Sequence, residues 1–409
     1  KVAMDETTSR LRLLLIDEEF PYPLTSGKRL RTYNLLRELS RRCDITTLAY
    51  GDPDSEGFRR FERDGLTPVA VPAPDRRQSG LRFYWRLFGN LFSPYPYIVT
   101  SHTTRRFHRR LRQLLARHSF DLVLCEWTPY ARFVKDLPGV RKVITAHNIE
   151  AAIWRRYEQQ ETQPLRRLYI RLQRTKVEAF EARCFGWVDG AIAVSESEAR
   201  QIAELGVPYP PAVVENGVDV GYFTAPADDP DPGQIVFSGA MDWRPNQDAA
   251  LWFVQEIFPL LRRARPNLAV TIVGRDPVRR IRELGRVEGV TVTGTVADVR
   301  PYLARAAVFI VPLRIGGGSR LKILEAMAMR KAVVSTSVGA EGLRVAADEN
   351  IMIADDAPAF AQAVLRCLGE PDLRRRLGEN GRRLVEREYR WDILGHKMYE
   401  YLCRVMQQK

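Results

Sequence analysis

No stretch of this 409-residue chain approaches 18 uninterrupted apolar residues, which argues against a membrane-spanning helix. Cysteine is scarce. The five thiols at 43, 125, 184, 367 and 403 are odd in number and widely spaced, with no CxxC pair. That pattern excludes a disulfide framework and a zinc site of the usual spacing, and points to buried thiols in a reducing compartment. Lys1 to Arg10 is polar and mixed in charge, unlike a signal peptide, and reads as a leader before a first strand at Leu11. No GxGxxG follows a strand candidate, which weakens a dinucleotide oxidoreductase. The SGK at 26–28 lacks the remainder of a P-loop, because Tyr22 stands where glycine is needed and Arg29 where Ser or Thr is needed. Asp-x-Asp occurs at Asp52–Asp54 and Asp229–Asp231, each with proline between the acids. Both read as turns rather than metal ligands, and no metal site is expected. Solenoid repeats and low-complexity segments are absent too.

What is present suits two cores in one chain: 45% of residues are hydrophobic and 28% charged. The net charge of +13 is uneven. Residues 1–200 hold 35 Lys/Arg against 24 Asp/Glu, and residues 76–118 hold ten arginines and no acid. Such a surface attracts phosphates, whether of a nucleotide, a nucleic acid or a lipid; no nucleic-acid-binding motif accompanies it, so nucleic acid is not an expected partner.

Short apolar runs alternate with segments of helical period, the pattern of parallel sheets wrapped by helices. Strands are predicted over 11–17, 44–50, 68–72, 121–125, 141–145, 188–194 and 212–215, with helices such as 28–42 and 105–118 between them. Residues 224–233, TAPADDPDPG, have almost nothing to bury and read as a linker. A second set of strands follows at 234–238, 268–273, 289–293, 307–311, 332–335 and 351–353, with helices over 246–264, 320–330, 358–368 and 371–388. The expected fold class is therefore α/β, two doubly wound, Rossmann-like domains facing a cleft. They span 1–224 and 233–389, with a helix at 390–409 packing back on the first. Open α/β sheets bind ligands at the carboxyl ends of their strands, so the loops after each strand are where chemistry is expected.

The most informative stretch is 311–342, VPLRIGGGSRLKILEAMAMRKAVVSTSVGAEG. A strand ends at Val311, three glycines follow at 316–318, and a helix is expected to begin near Ser319. Glycine-rich backbone running into a helix N-terminus offers free N–H groups to an anion. Arg320 and Lys322 in a first turn are poor neighbours for the helix dipole unless an anion compensates them. Glu325 follows Lys322 by three residues, on a neighbouring face.

This segment resembles the signature helix of retaining glycosyltransferases of the GT-B fold, family 4: a Gly-rich loop, then LEAMA, a small-residue turn and a β-branched strand. The resemblance extends over nearly the whole chain. PLTSGKRLR (23–31), TAHNIEA (145–151), VSESEAR (194–200), VENGVDVGYF (214–223) and FSGAMDWRPNQDA (237–249) stand in the family's order and spacing. It implies GT-B architecture and a retaining hexosyl or glycosyl transfer from a nucleotide-diphosphate sugar to an acceptor hydroxyl. No cofactor is implied beyond that donor, and the acceptor would be a sugar or a lipid-linked molecule.

Carried onto this sequence, the resemblance implies that Glu325 accepts hydrogen bonds from the ribose hydroxyls. Gly316, Gly317, Gly318 and Ser319 would hold the diphosphate together with Arg320 and Lys322. Gly27 and Gly239 would let backbone approach the donor, His147 would touch the donor sugar near the reacting carbon, and Asn148 and Glu150 would lie on the acceptor side. Two departures from the family stand out. Gly317 occupies the position of a second glutamate. The loop after the first strand of the second domain offers Arg244 but no lysine five residues on, where Gln247 and Asp248 lie nearby. Arg320 and Lys322 are therefore expected to carry more of the diphosphate charge, with Asp242, Trp243 and Asn246 lining the donor site. Double displacement would require a carboxylate opposite the diphosphate, and nothing in the sequence supports Glu150 or any other residue in that part. The resemblance implies front-face attack instead, with no metal ion. A nucleotide-sugar epimerase and a non-catalytic binding protein of the same fold are the alternatives.

An aromatic segment, LRFYWRLFGNLF (81–92), precedes RRFHRRLRQLLARH (105–118), in which Phe107, Leu111, Leu114 and Leu115 share one helical face with arginines elsewhere. Apolar face and basic flank are what interfacial helices use. This predicts contact with an anionic membrane surface through residues 76–118, and a cytoplasmic protein peripheral to the inner face of a membrane. Packing of the 105–118 face against its own sheet is the competing expectation.

Overall fold

The structure, a computed structural model, describes residues 10–74, 79–224, 230–315 and 320–408. The chain divides into two compact units, one running to Glu215 and rejoined by Gly395–Lys409, the other spanning Asn216–Leu394.

The sheet of the first unit is built from β1 (Leu11–Asp17), β2 (Cys43–Tyr50), β3 (Thr67–Val71), β4 (Leu122–Cys125), β5 (Arg141–Ala146), β6 (Gly190–Ala193) and β7 (Ala212–Val213). Their order is β3-β2-β1-β4-β5-β6-β7, and each neighbouring pair is parallel. Continuous apolar runs such as Leu13–Ile16 and Leu122–Cys125 are buried because helices cover both faces of a parallel sheet. The Arg105–Arg117 helix buries Phe107, Leu111 and Leu114 in this core, and Phe107 stacks on Phe133 at 4.5 Å. Its apolar face is therefore filled by its own domain, which removes that half of the expected membrane surface: a stripe of three to four large side chains finds the sheet before it finds lipid.

The second unit holds β8 (Asp231–Ser238), β9 (Ala269–Val273), β10 (Val290–Val292), β11 (Ala306–Val311), β12 (Ala332–Ser335) and β13 (Met352–Ile353), in the order β10-β9-β8-β11-β12-β13, again parallel throughout. The helix expected over 246–264 is instead Arg244–Trp252, a π turn at Phe253–Ile257 and Phe258–Ala264.

The unit boundary falls at Glu215/Asn216 rather than in the Pro/Asp-rich stretch. Val218 bridges Arg390, and a Cβ on Gly217 would lie 2.8 Å from Trp391, so residues after 216 are already packed within the second unit. Asp231–Gly233, read as linker and turn, begin β8, where Asp231 pairs with Ala306. The last helix, Trp391–Gln407, crosses the boundary in sequence, and its later residues serve the first sheet. Tyr401 Oη accepts from the Ala191 N–H at 3.0 Å, Lys397 bonds Glu215 at 2.9 Å, and Gly395 approaches so near that a Cβ would sit 2.5 Å from Glu38 Cβ. All five cysteines are free thiols, four buried and Cys403 partly exposed. No described helix is long and apolar enough to cross a membrane.

Candidate functional site

In the second unit the strand-end loops bring together residues distant in sequence. β8 ends at Ser238 and turns through Gly239 into the Arg244–Trp252 helix; β11 ends at Val311 and leads to the Leu321–Ala328 helix. Lys322 reaches from the latter to the former. Its Nζ donates to Asn246 Oδ1 at 2.8 Å and stands 4.7 Å over the Phe237 ring, while Asn246 Nδ2 donates to the Ala240 carbonyl at 2.9 Å. A Cβ on Gly239 would lie 2.7 Å from both Lys322 Nζ and Asn246 Nδ2. Glycine is needed there because any side chain would occupy the space in which lysine and amide meet.

Glu325 follows one turn along the same helix, and among the described residues no hydrogen bond reaches its carboxylate. Burial pushes Glu325 up to about 7, opposed by Lys322, and pushes Lys322 down to about 7, with Glu325 opposing and Arg320 adding to the fall. A lysine and a glutamate, each incompletely compensated, so occupy one face at a strand end. The arrangement offers a cation and a hydrogen-bond acceptor about one helical turn apart.

Arg320 departs from the expected picture. It precedes the helix rather than standing in its first turn, is buried, and donates to the Glu341 carbonyl at 3.3 Å and its carboxylate at 3.2 Å. Its charge is therefore met by a carboxylate within the protein. Gly316, Gly317, Gly318 and Ser319 lie outside the described residues. Asp242 is half-exposed, 3.9 Å from Arg275 Nε, and Trp243 is exposed where the Arg244–Trp252 helix begins. Asn246 thus meets Lys322 directly, whereas among the described residues no hydrogen bond ties Asp242 or Trp243 to it. Gln247 donates to the Met241 carbonyl at 2.9 Å and pairs with Arg280, and Asp248 makes a two-pronged pair with Arg314.

The first unit carries its own polar cluster at the carboxyl ends of β1, β4 and β5. Lys28, next to Gly27 at the start of the Gly27–Leu39 helix, bonds Asp17 at 2.6 Å and Glu18 at 2.7 Å. Ser26 caps that helix by accepting from the Arg29 N–H, and Arg29 pairs with Glu19. Burial holds Asp17 up to about 7 against the pull of Lys28. Glu126, directly after β4, accepts from Thr32 at 3.0 Å and lies 3.3 Å from His147 Nε2, which also contacts the Glu126 carbonyl at 3.0 Å. Burial disfavours the Glu126 anion, but the His147 hydrogen bond and the charges of Arg31 and Lys28 outweigh it and bring it to about 2. Burial lowers His147, only partly offset by Glu126. A neutral imidazole with its proton on Nε2 satisfies both residues, and fixes the ring by one donor at a strand end. Arg31 is wholly buried, with one donor on the Glu215 carbonyl at 2.5 Å and two nitrogens without a hydrogen-bond partner among the described residues.

Asn148 is half-buried, and Glu150 is buried, accepting from Trp127 Nε1 at 2.9 Å. The backbone N–H groups of Glu150 and Ala151 donate to Glu181 at 2.8 and 2.9 Å, which closes the start of the Glu150–Gln160 helix. Glu126, Asp17, Lys28, Glu181 and Glu341 were not singled out from the sequence. Two had a signal: Asp17 closes the apolar run LRLLLID and Glu126 follows DLVLC, an acid at a parallel strand's end in each case. Glu181 and Glu341 had none, because their partners are 30 and 21 residues away.

Comparison with known proteins matches the same two regions. Residues 26–222 match the family described as Glycosyltransferase Family 4, and residues 232–370 match Glycosyl transferases group 1. A lipopolysaccharide core biosynthesis mannosyltransferase, LpcC, from Rhizobium leguminosarum bv. viciae is 26% identical over 55% of this chain and 67% of its own. Among solved structures, sucrose-phosphate synthase from Thermosynechococcus elongatus superposes with a TM-score of 0.71 at 18% identity, covering 97% of this chain and all of that one. Anabaena HepE, solved in complex with UDP-glucose, superposes at 0.67 with 13% identity over 97% of this chain and all of its own. With two parallel Rossmann-like sheets and both family regions in order, this chain belongs to glycosyltransferase family 4, an enzyme class of GT-B fold that transfers sugars.

Proposed function

We propose that this chain moves a glycosyl group from a nucleotide-diphosphate sugar to an acceptor hydroxyl with retention of configuration and without a metal ion. One observation carries the reading: Lys322, seated between Asn246, Phe237 and the bare Gly239, with an incompletely compensated Glu325 one turn on. Glu325 accepts hydrogen bonds from the ribose hydroxyls. Lys322, with Arg320 two residues before it, stabilises the diphosphate as charge develops on it. The bond from anomeric carbon to diphosphate oxygen breaks, the acceptor oxygen bonds to that carbon, and its proton passes to the departing phosphate. His147 contacts the donor sugar, held in place by Glu126. A diphosphate role for Gly316 to Ser319 rests on the sequence alone.

The Rhizobium relative supports a polysaccharide or glycolipid product and a lipid-linked acceptor, which would place the enzyme at a membrane's inner face. The test is a thermal-shift panel with UDP, GDP, ADP and dTDP, because ligand binding raises apparent stability by mass action. It is followed by measuring nucleoside diphosphate released from the matching donor with and without acceptor. One of the four nucleotides should stabilise the protein, and release should depend on acceptor. Release without transfer, or no stabilisation by any nucleotide, overturns the reading.

A further inference from the structure

Among the described residues, the first unit leaves the outer face of the Leu81–Leu91 helix uncovered. In the Leu81–Leu91 helix, Phe83, Leu87 and Asn90 fall at positions i, i+4 and i+7 and face the protein. Asn90 is buried, donating to the Tyr95 carbonyl at 3.1 Å and accepting from Gln173 at 2.9 Å, while Lys176 donates to the Asn90 carbonyl at 2.7 Å. The helix is thus pinned to its own domain. Its other face carries Leu81, Tyr84, Trp85 and Phe88 at i, i+3, i+4 and i+7, exposed by 75%, 63%, 63% and 53%, and the stripe continues in Phe92. The Pro164–Cys184 helix, to which Asn90 is bonded through Gln173 and Lys176, exposes Leu165 and Leu168 by 84% and 64%. Large apolar side chains gathered in this way mark an interaction surface rather than ordinary scatter.

Charge identifies what covers it. Neither the segment 76–118 nor the segment 162–177 contains a single Asp or Glu, while they carry ten arginines and five Lys/Arg respectively. Arg82, Arg166 and Arg167 are exposed and have no ion pair among the described residues. A second copy of this face would meet it cation against cation. An anionic lipid headgroup layer would not, and the aromatic stripe would sit at the boundary between headgroups and acyl chains, where Trp and Tyr are favoured.

We propose that the exposed face of the Leu81–Leu91 helix inserts shallowly into an anionic lipid leaflet, with Arg82, Arg166 and Arg167 on the headgroups. This rests on the proposed lipid-linked acceptor and names the surface that meets the membrane. The helix is amphipathic twice over, which is why it keeps its place in the fold and still presents four large side chains outward.

The experiment uses the full chain with phosphatidylglycerol or phosphatidylcholine vesicles. Co-sedimentation with the anionic vesicles at low salt is expected, weakening at high salt. Bromine-labelled acyl chains should quench the wild-type fluorescence more than that of Trp85→Phe. Trp85→Glu/Phe88→Glu should bind at least about tenfold more weakly, and Arg166→Glu/Arg167→Glu should lose the salt-dependent part, since each arginine near such a surface contributes to attraction. Protein that stays in the supernatant under every condition overturns the proposal. So does quenching that does not depend on Trp85, or self-association in lipid-free solution that the Trp85/Phe88 pair abolishes. The nucleotide thermal shift reads the donor site separately: its presence in protein that ignores vesicles leaves the transferase standing and removes only this surface.

Discussion

The two units place charged side chains at the same architectural position, the carboxyl ends of parallel strands, and treat them in opposite ways. In the first unit, Arg31 apart, the charges answer one another: Lys28 lies between Asp17 and Glu18, Arg29 meets Glu19, and Glu126 is held by Thr32 and His147. In the second unit Arg320 meets Glu341, but among the described residues Lys322 meets only a neutral amide and a ring, and Glu325 meets no donor. Burial drives both toward 7. Charges satisfied internally hold a loop in place; charges left incomplete are poised for a ligand that brings the missing partner.

The most forceful way to break this comparison is Lys28→Met. It leaves Asp17 buried beside Glu18 without a cation, and removing one partner of such a pair costs about 3–5 kcal/mol. Chemical denaturation should show that loss, with nucleotide affinity in the folded fraction unchanged; a stable variant with weakened nucleotide binding would move Lys28 into the donor site.

Lys322→Ala should do the reverse. Loss of a group that stabilises developing charge lowers turnover by roughly 10²–10³, with little change in thermal stability, because among the described residues the lysine makes a single hydrogen bond. Steady-state kinetics separate the cases: a rise in the donor KM at constant kcat would assign Lys322 to ground-state binding instead.

For Glu325→Ala the expected effect is at least about tenfold weaker nucleotide binding, from the loss of a charged hydrogen bond worth roughly 1.5–3 kcal/mol. Titration calorimetry on the folded variant checks it, and unchanged affinity removes the ribose assignment. His147→Ala, by contrast, should cut transfer while leaving free nucleoside diphosphate binding nearly intact. Equal losses would make the imidazole a prop for Glu126 and nothing more.

The smallest effect is a pH dependence. Lys322 is pushed down to about 7, so its neutral fraction grows above that pH. A bound diphosphate restores the ammonium, so the Lys322 contribution takes up protons and lowers affinity as pH rises through about 7, by at most about tenfold per pH unit, against the opposite contribution of Glu325, whose anion accepts from the ribose. Calorimetry in buffers of different ionisation enthalpy measures the uptake, which Lys322→Gln should abolish.

Much of this was legible in the sequence. Continuous apolar runs such as AVFIV and LRLLLI fixed parallel strands, since only strands covered on both faces hide so many branched side chains. The aromatic 81–92 segment, singled out in the sequence, does leave large side chains exposed. The 105–118 helix shows the limit, for an amphipathic pattern states that a face will be buried and not what buries it.

Sequence by itself determined the fold class, the strand-end loops and the family, because these depend on local periodicity and on motifs whose members stand within a few residues of each other. Tertiary structure alone decided the partners. Lys322 meets Asn246 across 76 residues, His147 meets Glu126 across 21, and the Gly395–Lys409 segment returns to the first sheet from the far end of the chain. Which charges are neutralised and which remain poised depends on those encounters. Electrostatic compensation is set by distance in space and by burial, and neither quantity is written in the spacing of residues along a chain.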